Sequence, residues 1–118
     1  AIEVFLSGPG LENYFEFITK NYLSSKEIIA LYRTKEKQAV SIMNVYFERA
    51  ARALSTVVNI LDPDVIVCGG GMSEIDEIYN EIPKRIVPYL ASDFFHTPIV
   101  KALHGSSSGV RGAALLWD

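Results

Sequence analysis

Two glycine-rich segments hold the clearest chemical potential in this sequence: Gly69-Gly70-Gly71, and the run His104-Gly105-Ser106-Ser107-Ser108-Gly109. Glycine accepts positive φ and puts no Cβ between the backbone and a flat base or a phosphate, so such turns can bring N–H groups against a nucleotide. Each segment follows an apolar run with the pattern of a strand and leads into a run with the pattern of a helix. Ligands in open α/β sheets bind at such strand ends. One glycine turn alone is more often a plain tight turn than a ligand cradle, and two of them aligned on one sheet edge bring a nucleotide or phosphorylated ligand level with that reading. Neither turn is a Walker loop or a dinucleotide fingerprint, because Gly105, Gly109 and Gly112 are wrongly spaced and no Lys-Ser or Lys-Thr follows.

Other residues offer less. Ser7-Gly8-Pro9-Gly10 opens a third helix and presents either free N–H groups or an ordinary capped start. Glu3 lies between Ile2 and Val4 in a strand-like stretch; facing inwards it would accept hydrogen bonds from a polar ligand, facing outwards it would be an edge carboxylate in water. His96 and His104 are eight apart with no Cys or carboxylate partner at ligand spacing, which argues against a metal site. Cys68 sits in an apolar strand and reads as a small buried hydrophobe. Arg111 can reach a phosphate or face solvent. No spacing supports a Ser-His-Asp triad or a carboxylate pair.

The elements that must position these residues follow from periodicity. Leu11, Tyr14, Phe15 and Ile18 recur at three and four, a helix with Pro9 in its first turn. Ser24-Ser25-Lys26-Glu27 has the form of a capping box opening a short helix through Ile28, Ile29 and Leu31. From about Lys35 to Leu61 no Gly or Pro intervenes, and the apolar positions predict the longest helix. A second apolar set, Val40, Phe47, Ala51 and Val58, widens its arc and predicts contacts on two sides, one the sheet, the other missing sequence or a second subunit. Asp62-Pro63-Asp64 stops it, and Val65-Ile66-Val67-Cys68 reads as a strand buried on both faces. Ser73 is expected to cap a helix along Ile75, Ile78, Ile82, Ile86 and Leu90, kinked or divided by Pro83. Thr97 to Leu103 reads as a second strand, and Ala113 to Trp117 as a final helix. This order predicts an α/β fold with parallel strands. Two strands make a poor sheet, so further strands are expected from missing sequence or a partner.

Composition narrows the class. The 118 residues are 49% hydrophobic and 21% charged, one folded domain's worth. A net charge of −3 without a basic block argues against direct nucleic-acid binding. One cysteine permits no intrachain disulfide and no cysteine zinc cluster. With no apolar run near the roughly 20 residues that span a bilayer and no signal-peptide pattern, a soluble cytoplasmic protein is expected, with no membrane partner. The abrupt hydrophobic start, Ala1-Ile2-Glu3-Val4-Phe5-Leu6, suggests a piece of a longer protein.

Two segments, Leu61 to Ser73 and His104 to Ala114, together resemble the C-terminal lobe of ROK-family sugar kinases, with the closest likeness to bacterial fructokinases of the manno(fructo)kinase type. Ile2-Glu3-Val4-Phe5-Leu6-Ser7-Gly8 resembles the stretch after that family's zinc-binding Cys-x-Cys-Gly-x-x-Gly-Cys segment. The resemblance implies an actin-like, hexokinase-type (ribonuclease H-like) ATPase fold with a sugar cleft between two lobes. It also implies ATP with Mg²⁺ as cofactors, a nucleotide and a hexose as ligands, and a homodimer. On that mapping Glu3 hydrogen-bonds the sugar, Gly69, Gly70 and Gly71 line the adenosine, and Gly105 and Gly109 lie near the nucleotide.

The departures from the family are equally specific. The zinc cysteines, the N-terminal phosphate-binding strands, the Glu-x-Gly-His segment and the Asn-Asp segment whose Asp is the general base are absent. Residues 1–118 are therefore expected to be the nucleotide-side lobe of an ATP:hexose phosphotransferase, inactive alone, with no catalytic or metal residue of its own. Two rivals stand beside this: a sugar-responsive ROK repressor lobe without kinase activity, and an oligomerisation domain built on the broad helix.

Overall fold

Alternation in Ile2-Glu3-Val4-Phe5-Leu6 and the continuous apolar run Ile66-Val67-Cys68 produce the two central strands of a parallel sheet. The computed structural model describes residues 1–103 and, by backbone alone, residues 110–115. In chain order the elements are β1 (Ile2–Leu6), α1 (Pro9–Thr19), α2 (Ser25–Arg33), α3 (Lys37–Leu61), β2 (Ile66–Gly69), α4 (Glu77–Ile86), β3 (Ile99–Lys101) and β4 (Val110–Leu115). Short 3₁₀ turns cover Gly71–Glu74 and Val87–Tyr89.

The sheet order is β3-β2-β1-β4, and every pairing is parallel. Glu3 pairs with Val67 and Phe5 with Gly69, so these four share one face; Val4, Leu6, Ile66 and Cys68 share the other and are wholly buried. The expectation of two strands is corrected to four. Ile2–Leu6 is a full strand, and the helix expected from Ala113 is replaced, as far as Leu115, by β4. Residues 116 and 117 of that expected helix, and His104, Gly105 and Gly109, lie outside the described residues. β4 pairs with the edge of β1 that would otherwise present an open row of N–H and C=O groups, and this outweighs the helical preference of Ala113-Ala114. The pairing slips register between Glu3 and Phe5.

Against the buried face packs α3, through Ala39, Ile42, Met43, Tyr46, Ala50 and Leu54. Of its second apolar set, Phe47 and Ala51 are buried within the chain, Phe47 against α2 and α4, while Val40 and Val58 are half-buried. Phe47 meets Tyr32 of α2 edge-on at 5.9 Å, and the Arg85 guanidinium of α4 lies 5.6 Å from the Phe47 ring centroid. Arg85 also bonds Glu81, Glu48 and the Asn44 side chain, fastening α4 to α3.

Helix α4 is shorter than the sequence pattern suggests. Ser73 does not cap it; its hydroxyl donates to the Gly70 carbonyl at 2.6 Å and closes the 3₁₀ turn instead. Pro83 lies inside α4 without dividing it, because Ile78, Ile82 and Ile86 are fully buried and packing holds the stripe in line. The break comes at Val87, ahead of Pro88. Among the described residues no helix is long and apolar enough to cross a membrane.

Candidate nucleotide site at the carboxyl ends of β1 and β2

β1 and β2 run parallel, so the turns that follow them emerge side by side. After β1, Gly8 leads directly into α1 with Pro9 in its first turn. A Cβ on Gly8 would lie 2.3 Å from Ser25 Oγ, so this glycine is what lets the start of α2 come against the start of α1. Glu12 completes the junction: its Oε2 accepts from the Ser25 N–H at 2.7 Å and faces the Ser25 hydroxyl at 2.9 Å. The predicted capping box is present, with Ser24 Oγ accepting from Glu27 N–H and the Glu27 carboxylate accepting from Ser24 N–H. The Ser24 N–H, and after it the Ser24 hydroxyl, hold the Glu27 carboxyl below its ordinary range.

The three glycines after β2 differ sharply. On Gly69 a Cβ would touch the Phe5 ring at 3.4 Å, an ordinary contact on the Glu3 face of the sheet. Gly70 has φ of +88°, and a Cβ there would strike the Leu6 carbonyl oxygen at 2.5 Å. Its glycine is demanded by the backbone of β1. Gly71 has open space in front of it, with nothing within 4 Å of a Cβ. Of the three, Gly71 has the property expected of a ligand cradle.

Gly71 borders a cleft of about 570 Å³. One wall is the turn Gly71, Met72, Glu74 and Ile75; the opposite wall is α2, through Ser25, Lys26, Ile29, Ala30 and Arg33; Gly8, Pro9 and Glu12 close the end. The turn is rigidly backed, since Met72 and Ser73 are buried and the Tyr79 hydroxyl donates to the Ser73 carbonyl at 2.6 Å. At the far end of α2, Arg33 makes a two-point ion pair with Glu77, Nε to Oε2 and Nη2 to Oε1, both 2.9 Å. This pair holds the Glu77 carboxyl below and the Arg33 guanidinium above their ordinary ranges. A cleft of this size, with apolar Ile29, Ala30, Met72 and Ile75 among charged Glu12, Lys26, Arg33 and Glu74 and with the positive end of α1 at one end, suits the base and ribose of a nucleotide.

The sequence pattern of the ROK family matches the chain from end to end, over residues 1–118. The chain belongs to the ROK family. Relatives include an N-acetyl-D-glucosamine kinase of Haemophilus influenzae, 39% identical over 116 residues, and one of Photobacterium profundum, 42% identical over 115 residues. Each alignment covers 98% of this chain and 38% of the relative, so the chain spans well under half the length of these curated proteins. The fold is that of part of a ROK hexokinase from Thermus thermophilus, with a TM-score of 0.71 at 20% identity, covering 84% of this chain and 35% of that one. A ROK glucokinase from Streptomyces griseus, solved with glucose and AMPPNP, superposes with a TM-score of 0.61 at 19% identity over 79% of this chain and 32% of its own. The fold class expected from the sequence, an α/β part of the actin-like ATPase fold of ROK kinases, is what the structure has.

Within this ROK chain the sequence-predicted residues are not all brought together. Gly71 lies in the cleft, Gly70 supports it from behind, and Gly69 belongs to the sheet. Glu3 is buried, 5% exposed, in the middle of β1 beside Val67, on the face opposite the helical core. Arg111 pairs with Glu3 in strand register. Cys68 is buried in β2, and burial pushes its thiol up to about 12, which suits the structural role expected of it. Among the described residues no three His, Cys, Asp or Glu side chains converge as a metal centre. Sequence reading missed the α2 wall and the Arg33–Glu77 pair. The capping box located the start of α2, but nothing in the pattern showed that Gly8 would draw it to the cleft.

Proposed function

We propose that these residues form the nucleotide-side lobe of an ATP-dependent hexose kinase, in which the cleft beside Gly71 takes the adenosine of Mg²⁺-bound ATP. The observation that carries this reading is Gly71 itself: a backbone edge with open space, at the carboxyl ends of two parallel strands, in one cleft with Ile29 and Ala30 of α2. Met72, Ile75, Ile29 and Ala30 would exclude water from the base. The positive end of α1 would favour the phosphates at the Gly8 end of the cleft. Gly105 and Gly109 belong to the same nucleotide proposal through the family resemblance.

In the reaction a sugar hydroxyl oxygen bonds the γ-phosphorus, the bond from that phosphorus to the bridging oxygen breaks, and ADP leaves. Catalysis of this kind is mostly positioning and charge neutralisation. Glu3 is proposed to accept a hydrogen bond from a sugar hydroxyl and so orient the acceptor. The proton of the attacking hydroxyl goes to the aspartate that the resemblance places in a segment this sequence does not contain. The sugar is proposed to be a hexose. The relatives named above favour N-acetyl-D-glucosamine as the first acceptor to assay, ahead of the fructose suggested by the sequence resemblance.

Calorimetric titration of the 118-residue chain with ADP and Mg²⁺, then with N-acetyl-D-glucosamine and fructose, tests the lobe assignment. Saturable ADP binding with little sugar binding is expected. A folded chain that takes up no ADP overturns the assignment. For the whole protein, ATP-dependent phosphorylation is assayed with both sugars and with glucose.

A further inference from the structure

Arg33, the last residue of α2, is also a lining residue of the nucleotide cleft. Ser25 to Arg33 spans about 12 Å at 1.5 Å per residue, close to the length of a base and its ribose. Beyond Arg33 lies a second cleft, of about 740 Å³, bordered by Arg33 and Glu77 together with Lys35, Lys37 and Asn44. Arg33 lines both clefts and Glu77 the second alone, so the Arg33 side chain stands where the two clefts meet, held there by Glu77. The pair also ties the two walls of the first cleft together, because Arg33 is the last residue of α2 and Glu77 the first of α4, two residues after the turn that carries Gly71 to Ile75. Two parallel N–H···O bonds fix distance and plane, which a single lysine contact would not.

We infer that the Arg33–Glu77 fork is a positioning and specificity-determining device that closes the base end of the nucleotide cleft and sets its width. The inference rests on the nucleotide reading above: with the phosphates at the Gly8 end, the base reaches the Arg33 end. The fork ties the end of α2 to the start of α4 and so limits how far the walls can part, while the Arg33 side chain stands between the base and the second cleft. Loosening the fork weakens the grip on the base and blunts discrimination between bases.

The test uses the 118-residue chain and its Arg33→Lys, Arg33→Ala and Glu77→Gln variants, titrated with Mg²⁺-ADP and Mg²⁺-GDP. A partly exposed pair of this kind adds little to folding, so the variants are expected to melt close to the parent chain. Expected are a three- to tenfold weaker ADP affinity in all three variants and a smaller ADP-to-GDP ratio. The exchanged double variant Arg33→Glu with Glu77→Arg should restore most of the ratio. Equal loss for both nucleotides, or unchanged ADP binding in folded variants, overturns the fork's role while leaving the nucleotide reading intact. If the unsubstituted chain binds neither nucleotide, the nucleotide reading fails, and the inference with it.

Discussion

At the scale of single residues, adjacent glycines do opposite jobs. Gly70 combines φ of +88° with a hard approach to the Leu6 carbonyl, so Gly70→Ala meets left-handed strain of about 1–3 kcal/mol plus a clash with backbone that cannot swing away. Its melting temperature should fall by roughly 4 °C or more for each kcal/mol. Gly71→Val places its side chain in the cleft, and it should change stability by no more than about 1 kcal/mol while weakening ADP about tenfold, a loss of about 1.4 kcal/mol. A thermal melt and an ADP titration on both variants separate the two roles; parallel behaviour would refute the division. Glu3 makes a third prediction, in the whole protein. On the proposed sugar contact, Glu3→Gln keeps an acceptor oxygen but removes its charge, a loss of about 1 kcal/mol, so kcat/KM for the sugar should fall about fivefold with the ATP Michaelis constant little changed. The Gly-Gly-Gly run was legible as a turn, but which glycine serves the sheet and which opens on the cleft depends on what lies opposite each Cβ, and that is set by β1, far upstream in the chain.

Elements are where local sequence signals either agree with tertiary packing or lose to it. The capping box of α2, the proline start of α1 and the uninterrupted α3 were all readable, because each is decided within a few residues of chain. β4 was not, since Ala113-Ala114 carries no strand signal and its pairing depends on the open edge of β1. The breadth of α3's apolar arc was legible as a demand for a second contact, whereas the identity of that contact, α2 and α4, follows from loop geometry that periodicity does not encode. Because α2 is a cleft wall, its cap links stability to ligand binding. Ser24→Ala removes the acceptor for the Glu27 N–H and should cost about 0.5–2 kcal/mol, read as a lower urea midpoint at unchanged slope. Ser24→Asp, which keeps an acceptor, should recover most of it. If Ser24→Ala unfolds with the parent midpoint, the cap contributes nothing to this helix.

Across the whole molecule, titratable groups at opposite ends of the pH scale should leave a plateau of stability between them. Glu27 and Glu36 accept backbone N–H bonds at the starts of α2 and α3, and Glu77 accepts the Arg33 fork; all three carboxyls are held below their ordinary 4.5. A group depressed on folding stabilises above its unfolded value, and that stability is lost as pH falls through the lower folded value. The acid limb should therefore begin below about pH 4.5 and steepen as the helix starts lose their acceptors, the half-exposed fork adding little. Cys68 sets the other limb: burial raises its thiol from 9.0 to about 12, so its protonated form stabilises fully below pH 9 and that contribution disappears as pH rises towards 12. Tyr46 and Tyr79, also raised by burial, act in the same direction. Urea midpoints measured from pH 3 to 10.5 should stay level from about pH 5 to 9 and fall on both sides. Glu27→Gln and Glu36→Gln should each shallow the acid limb and leave the alkaline one unchanged. A disulfide-exchange reagent should leave Cys68 unmodified in the native chain at pH 8 and label it once urea has unfolded the protein. A midpoint that moved between pH 6 and 8 would contradict this account, because none of these groups changes charge there in either state.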